Sequence, residues 1–308
     1  MGKQNTLHIL MIRPARFGYN PQTAASNTFQ KKEDTEVENV QRTALVEFDN
    51  AVQKLQSKGV NVHVFDDTLE PWKPDAVFPN NWISFHEDGS VILYPMLAEN
   101  RRWERRTDII ENLSKNFKLG RRIDLSAYED EKRYLEGTGS IVLDREKKLC
   151  YACISPRTDK VVLKDFCEKM GYNPIIFQAS DMQGKPVYHT NVVMCVAKEF
   201  LVICMTAIKE QHEKESIRKN CKKPIIEISM DQMAHFAGNM LEIENREGKR
   251  LMVMSEQAYK SLTPEQIMVI EHEDEIVCIP IETIEKNGGG SARCMMAEIF
   301  LEKRYLLS

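Results

Sequence analysis

The sequence lacks any long apolar run. Nothing in its 308 residues approaches the roughly 18 apolar residues that cross a bilayer, so no membrane role is expected. It also lacks a strong charge of either sign. Lys and Arg number 42 against 46 Asp and Glu, a net charge of -4 that excludes a general attraction to nucleic acid or to an anionic surface. Basic clusters do occur, at Arg101, Arg102, Arg105 and Arg106 and at Lys219, Lys222 and Lys223, in contexts that read as solvated faces. There is no glycine-rich phosphate loop after a strand and no set of residues at metal-ligand spacing, so neither cofactor nor metal is expected. Cys150-Tyr-Ala-Cys153 has the spacing of a zinc or redox pair, but no second such pair and no paired histidines complete it. The run is strand-like, and residues three apart on a strand face opposite sides. The opening MGKQNTLHILMIRPARF has a short apolar run, then arginines, and no small-residue cleavage site. It reads as a first strand rather than an export signal, so reduced cysteines and a cytoplasmic location are expected.

What is present is a recurring order of elements. A pair of short apolar runs appears at residues 82–85 with 91–94, 140–143 with 149–154, 191–196 with 200–204, and 240–243 with 250–254. Turn sequences such as Glu87-Asp88-Gly89 join them as hairpins. A fifth run, 294–301, needs a partner, which residues 7–12 can supply. After most pairs comes a helix-patterned stretch and then a short strand. Residues 34–58 carry Val37, Val40, Ala44, Phe48, Ala51, Val52 and Leu55 at helical spacing and end at Gly59, before a strand at 60–65. Helical stretches at 102–117, 161–170 and 207–220 lead in the same way to strands at 122–125, 173–177 and 224–228. The spacing of about 50 residues with little identity predicts an α/β chain of stacked or radially arranged ββαβ-type units in a single domain, 1–308.

Each unit opens on a polar or glycine-rich segment. In order these are Asp75 to Asn80-Asn81, Leu135-Glu136-Gly137-Thr138-Gly139, Tyr188-His189-Thr190-Asn191, His235-Phe236-Ala237-Gly238-Asn239, and Gly288-Gly289-Gly290-Ser291-Ala292-Arg293-Cys294. Units set around one axis would bring these segments to a common cavity. A thiol, a histidine, carboxylates and amides there form the inventory of covalent acyl-type or amidino-type transfer. Taken in this order, the segments resemble the superfamily of arginine deiminases, dimethylarginine dimethylaminohydrolases and amidinotransferases, the penteins, over nearly the whole chain. The chain looks most like the arginine-deiminase-related citrulline-utilisation hydrolases. The resemblance implies a five-bladed pseudo-symmetric α/β propeller with Cys294 as nucleophile, His189 as general acid and base, and Glu136 as the carboxylate beside it. It implies that Asp75 contacts substrate nitrogens and that Arg101 or Arg102, with Arg157, holds an α-carboxylate. Asn80, Asn81, Asn191, Gly289 and Gly290 complete the expected substrate site. His235 has no match and reads as structure.

Two departures from the pattern bear on substrate. Relatives that act on guanidines carry carboxylates at the positions of Asn81 and, often, Asn191. A guanidinium offers only N–H donors, whereas a ureido group offers a carbonyl and N–H donors together. An asparagine amide matches the second, and two acceptors opposed in a buried site would cost roughly 1–3 kcal/mol. The expected reaction is therefore hydrolysis of citrulline to ornithine, carbon dioxide and ammonia through a covalent intermediate on Cys294, its thiolate favoured by His189 and Arg293. Oxyanion donors are sought in Asn81, Asn191 and the N–H groups of the glycine run. Arginine or agmatine deimination, amidino transfer, and a non-catalytic binding role are the alternatives. A small amino acid is the expected partner, and a homodimer is among the assemblies left open. Residues 20–32, polar and weakly patterned, read from composition as a cover over the cavity. Gly139, where relatives often carry aspartate, has no sequence-level account.

Overall fold

The computed structural model describes residues 2–32 and 36–304. Its strands form five sheets of three strands each. Four sheets are built from consecutive segments. Ile83–Phe85 pairs antiparallel with Val91–Leu93, which pairs parallel with Arg122–Asp124. The pattern repeats in Ile141–Asp144, Leu149–Cys153 and Asn173–Phe177. It repeats again in Met194–Val196, Leu201–Ile203 and Ile225–Glu227, and in Leu241–Glu244, Arg250–Ser255 and Glu275–Ile279. The fifth sheet joins distant parts of the chain. Ala297–Glu298 pairs antiparallel with His8–Arg13, which pairs parallel with Asn61–Asp66. The five sheets, numbered here one to five in that order, fit a pseudo-five-fold repeat.

A parallel pairing needs a crossover, and in each unit a helix supplies it between the second and third strands. Sequence sets the ends of these helices. Asp159 caps Lys160–Met170 by accepting from the Val161 and Val162 N–H groups, and Gly171 closes it at φ 68°. Thr263 and Gln266 form a capping box on Pro264–Glu273. The expected helix at 34–58 is Val37–Ser57, with residues 34 and 35 outside the described residues. Val40, Ala44, Phe48, Ala51 and Leu55 are its buried stripe, while Val37 is exposed, one turn ahead of the sheet. The strand Glu275–Ile279 was not expected from the sequence.

Middle strands are covered on both faces, which is why Leu149–Cys153 is buried at every position. Cys150 packs with Val162, Leu163 and Phe166 of the crossover helix. Cys153 packs on the other side, among residues of the third unit. Both thiols are free. Among the described residues, no helix is long and apolar enough to cross a membrane.

Candidate functional site

The polar segments lie where the chain enters the first strand of each unit. Pro79–Asn81 forms a short 3₁₀ turn before the first sheet, Gly137–Ser140 a helical turn before the second, and Thr190–Val193 one before the third. A turn closed by the bond from the Cys294 N–H to the Ser291 carbonyl precedes the fifth. Hydrogen bonds link neighbouring turns in sequence order. Thr138 Oγ1 donates to the Asn80 carbonyl at 3.3 Å, and Thr190 Oγ1 to the Ser140 carbonyl at 2.5 Å. Asn239 Nδ2 donates to the Asn191 carbonyl at 2.9 Å, and the Arg293 N–H to Asn239 Oδ1 at 3.1 Å. Gly288 and Gly290 then lie against the Phe78 ring, ahead of the first turn.

Glu136 and His189 occupy the residues just before their turns, and His189 Nε2 sits 2.8 Å from Glu136 Oε2. The carboxylate also accepts from the Leu97 N–H at 3.1 Å and from Arg157 at 3.4 Å. Burial would raise the pKa of Glu136, but Arg157, His189 and Arg101 overcome it and hold the group well below the usual carboxylate range. Glu136 is therefore an ion and an acceptor, so Nε2 of His189 carries the proton and Nδ1 is the free acceptor. Burial lowers His189 to about 4 against the pull of Glu136, so its resting form is neutral.

Cys294 is buried, and two amides reach its sulfur. Asn191 Nδ2 and Asn239 Nδ2 each lie 3.4 Å from Sγ. Arg293 was expected to favour the thiolate. Its guanidinium instead bonds Glu298 at 2.7 Å and the Met296 carbonyl at 2.9 Å, the ion pair being its best partner in a buried setting. Asn239 was not singled out from the sequence. The signal was an asparagine opening a unit, as Asn81 and Asn191 do.

Arg101 organises the opposite wall. It makes a two-pronged pair with Glu104 at 2.8 and 2.9 Å and donates to Asn81 Oδ1 at 2.8 Å. A guanidinium has no acceptor, so the Asn81 oxygen must face Arg101 and its Nδ2 must face away. Asp75 accepts from Asn20 Nδ2 at 2.7 Å, and burial raises its pKa despite Arg101 nearby. Asp75 Oδ1, both amide atoms of Asn80, Asn81 Nδ2 and Asn191 Oδ1 are buried with no hydrogen-bond partner. Such atoms are costly unless a ligand satisfies them.

Three sequence expectations change. Arg102 points out of the site, to the Met96 carbonyl at 3.2 Å and Glu129 at 3.3 Å, because neighbouring residues on the single turn Glu99–Arg102 face different directions. Arg157 lies in the site but is engaged by Ser26 at 2.8 Å and the Thr23 carbonyl at 3.0 Å. The Gly289 N–H caps a helix by bonding the Glu285 carbonyl at 2.8 Å, which removes it as an oxyanion donor. Gly290 stands beside Cys294.

Residues 20–32 lie across these groups. Asn20 holds Asp75, Ser26 holds Arg157, and Asn27 Nδ2 donates to the Gly289 carbonyl at 3.2 Å. Tyr188 donates to the same carbonyl. Gly289 is left-handed, at φ 64°, and a Cβ there would come within 2.5 Å of Asn27 Nδ2. Under this cover Asp75, Asn81, Glu136, His189, Asn191 and Cys294 are each at most 2% exposed. Among the described residues, no group of three or more His, Cys, Asp or Glu is placed to hold a metal ion.

The family model for eukaryotic N,N-dimethylarginine dimethylhydrolases matches residues 13–301. The chain belongs to this family. It falls with it in the pentein superfamily of dimethylarginine dimethylaminohydrolases, arginine deiminases and amidinotransferases. Several solved structures share its fold. ArgZ, an arginine dihydrolase from the ornithine–ammonia cycle in cyanobacteria, is 15% identical with a TM-score of 0.75, covering 97% of this chain but 41% of its own. The present chain thus spans about two fifths of that protein. It corresponds to the N-terminal domain of ArgZ, seen as a Cys-to-Ser mutant bound to substrate, at 16% identity and TM-score 0.74, with 96% and 99% of the two chains covered. A dimethylarginine dimethylaminohydrolase variant, solved as an adduct with S-methyl-L-thiocitrulline, is 16% identical with TM-score 0.65, with 97% and 100% covered. No curated protein matches in sequence.

Proposed function

We propose that this pentein is a cysteine hydrolase that converts L-citrulline to ornithine, carbon dioxide and ammonia. We read its five units as propeller blades around one axis, with the five entry turns meeting over the substrate. The observation that carries the substrate assignment is the orientation of Asn81. Arg101 holds its oxygen, so an unpartnered N–H is left for the substrate, where a guanidine enzyme would place an acceptor. Asn80 Nδ2 is a second unpartnered donor, and Asp75 Oδ1 and Asn191 Oδ1 are unpartnered acceptors. That mixture suits a ureido group, with donors for its oxygen and acceptors for its N–H groups.

Neutral His189 takes the thiol proton of Cys294 on Nδ1 as sulfur attacks the ureido carbon. The carbonyl π electrons move to oxygen, where amide donors stabilise the charge. Collapse breaks the bond from carbon to the δ-nitrogen, and His189 returns its proton to that nitrogen. Ornithine leaves, and a carbamoyl group remains on sulfur. Neutral His189 then deprotonates water, which attacks the same carbon. The sulfur departs with the bonding electrons and takes back the proton from His189, and the released carbamic acid decays to carbon dioxide and ammonia. Glu136 stays ionised throughout and keeps the imidazole oriented.

A second reading is hydrolysis of arginine itself, in one or two steps. It is favoured by the free acceptor of Asp75 and by likeness to a named arginine dihydrolase. Pure protein incubated with citrulline and with arginine in parallel, with amino-acid products quantified, decides between them. Ornithine from citrulline and nothing from arginine supports the proposal; citrulline accumulating from arginine rejects it. Cys294→Ser is expected to lose all turnover while keeping its melting temperature.

A further inference from the structure

We propose that Asn239 is a catalytic residue whose side-chain N–H, together with that of Asn191, holds the sulfur of Cys294 as an anion. The assignment rests on the cysteine-hydrolase reading, and its evidence is geometric. Asn239 is fully buried. The Arg293 backbone N–H donates to its Oδ1 at 3.1 Å. A backbone N–H cannot accept, so the oxygen faces that N–H, 3.7 Å from the sulfur, where it accepts from the neutral thiol; Nδ2 donates to the Asn191 carbonyl at 2.9 Å and lies 3.4 Å from the sulfur, the donor left for it once ionised. Asn191 Nδ2 approaches the same sulfur at the same distance from the third unit.

Among the described residues, no cationic side chain bonds this sulfur. Arg293, next in the chain, is committed to Glu298 and the Met296 carbonyl. The titratable groups on the neighbouring turn are His189, which rests neutral, and Tyr188, whose hydroxyl donates to the Gly289 carbonyl. Two amide N–H groups converging on one buried sulfur supply charge-assisted bonds once it is ionised. In a buried site such bonds count for more than they would at the surface. Sulfur carries negative charge twice in the cycle, when it gives up its proton and when it leaves the carbamoyl carbon. Asn239 therefore serves both half-reactions.

Asn239→Asp separates this role from a structural one. The aspartate keeps an oxygen for the Arg293 N–H in the same shape and replaces the donor facing sulfur with a second oxygen. Alkylation of Cys294 by iodoacetamide, followed residue by residue by mass spectrometry across pH, reads the thiolate without substrate. The midpoint is expected to rise by roughly one pH unit or more in Asn239→Asp, and by less in Asn239→Ala and Asn191→Ala. A midpoint unmoved in all three variants, with circular dichroism showing each one folded, overturns the proposal. If the Asp variant does not fold, the two Ala variants decide alone. A wild-type protein inert toward citrulline that still shows the shift rejects the substrate assignment and supports the role of Asn239.

Discussion

Gly139 sits where Asn81 and His189 come together. A Cβ there would lie 2.4 Å from Asn81 Nδ2 and 2.8 Å from His189 Nδ1, distances no real side chain tolerates. The contact leaves no room at this position for a larger side chain such as aspartate. An amide at Asn81, turned by Arg101 so that Nδ2 points inward, occupies the volume a residue at 139 would need. Gly139→Ala is expected to cost about 1–3 kcal/mol of stability from overpacking, read as a lower midpoint in urea unfolding. It should lower kcat/KM on the proposed substrate by roughly a hundredfold, because displacement of about 1 Å at either neighbour misplaces the reacting groups. Near-normal kinetics in that variant would show that the site has more slack than the contacts allow.

The next scale is the ββαβ unit with its entry turn. Hairpins were legible in the sequence because tight turns such as Glu87-Asp88-Gly89 separate two apolar runs. Third strands were legible where a glycine or a change of period announced them, as Gly171 does before Asn173–Phe177. Glu275–Ile279 was hidden because it follows Pro264–Glu273 after a single residue, Asp274, with no glycine between them. Cys294, His189 and Glu136 were legible through the order of their segments. Asn239 was not, since an amide draws less notice than the histidine four residues before it, and His235 proves to be exposed, bonded to the Asp231 carbonyl. The choice between Arg101 and Arg102 turned on one helical turn, which no pattern in the sequence records. The cover, residues 20–32, is an element of its own, with the short helix Pro21–Ala24 near its start. Its hold on the site combines polar bonds with packing of Phe29 against Tyr188 and Phe236, and on the proposed reading it must lift for substrate to reach a buried thiol. Asn27→Ala removes the bond to the Gly289 carbonyl and is expected to speed alkylation of Cys294 in the unliganded protein several-fold. An unchanged rate would place the opening elsewhere.

Across the whole molecule, buried titratable groups set a pH optimum for stability. Burial pushes Glu242 up to about 8 and Glu285 up to about 7 from the ordinary value of 4.5. Glu242 lies against Asp274, with Arg250 bonded to the latter at 3.0 Å. Between pH 4.5 and about 8 the folded chain keeps protons on these glutamates that the unfolded chain has lost, so they favour unfolding as pH rises. Histidines act in the other sense. Burial lowers His8 and His189 to about 4 from 6.5, so below pH 6.5 the unfolded chain takes up protons the folded chain refuses. The two effects oppose one another below 6.5, and the glutamates act alone above it. The melting temperature should therefore fall between pH 6.5 and 8, and Glu242→Gln should reduce that fall; a flat profile would show that the folded chain does not hold these groups protonated. The fifth sheet has another consequence. Leu10 pairs with Ala297 and Ile9 with Glu298, so Cys294 reaches its place only when the last unit is closed by the first strand. During synthesis Asn81, Glu136, His189 and Asn191 leave the ribosome well before the thiol, so the proposed site cannot assemble until the last unit is made. On the proposed reading, a chain whose last unit is not yet closed by the first strand carries no competent nucleophile.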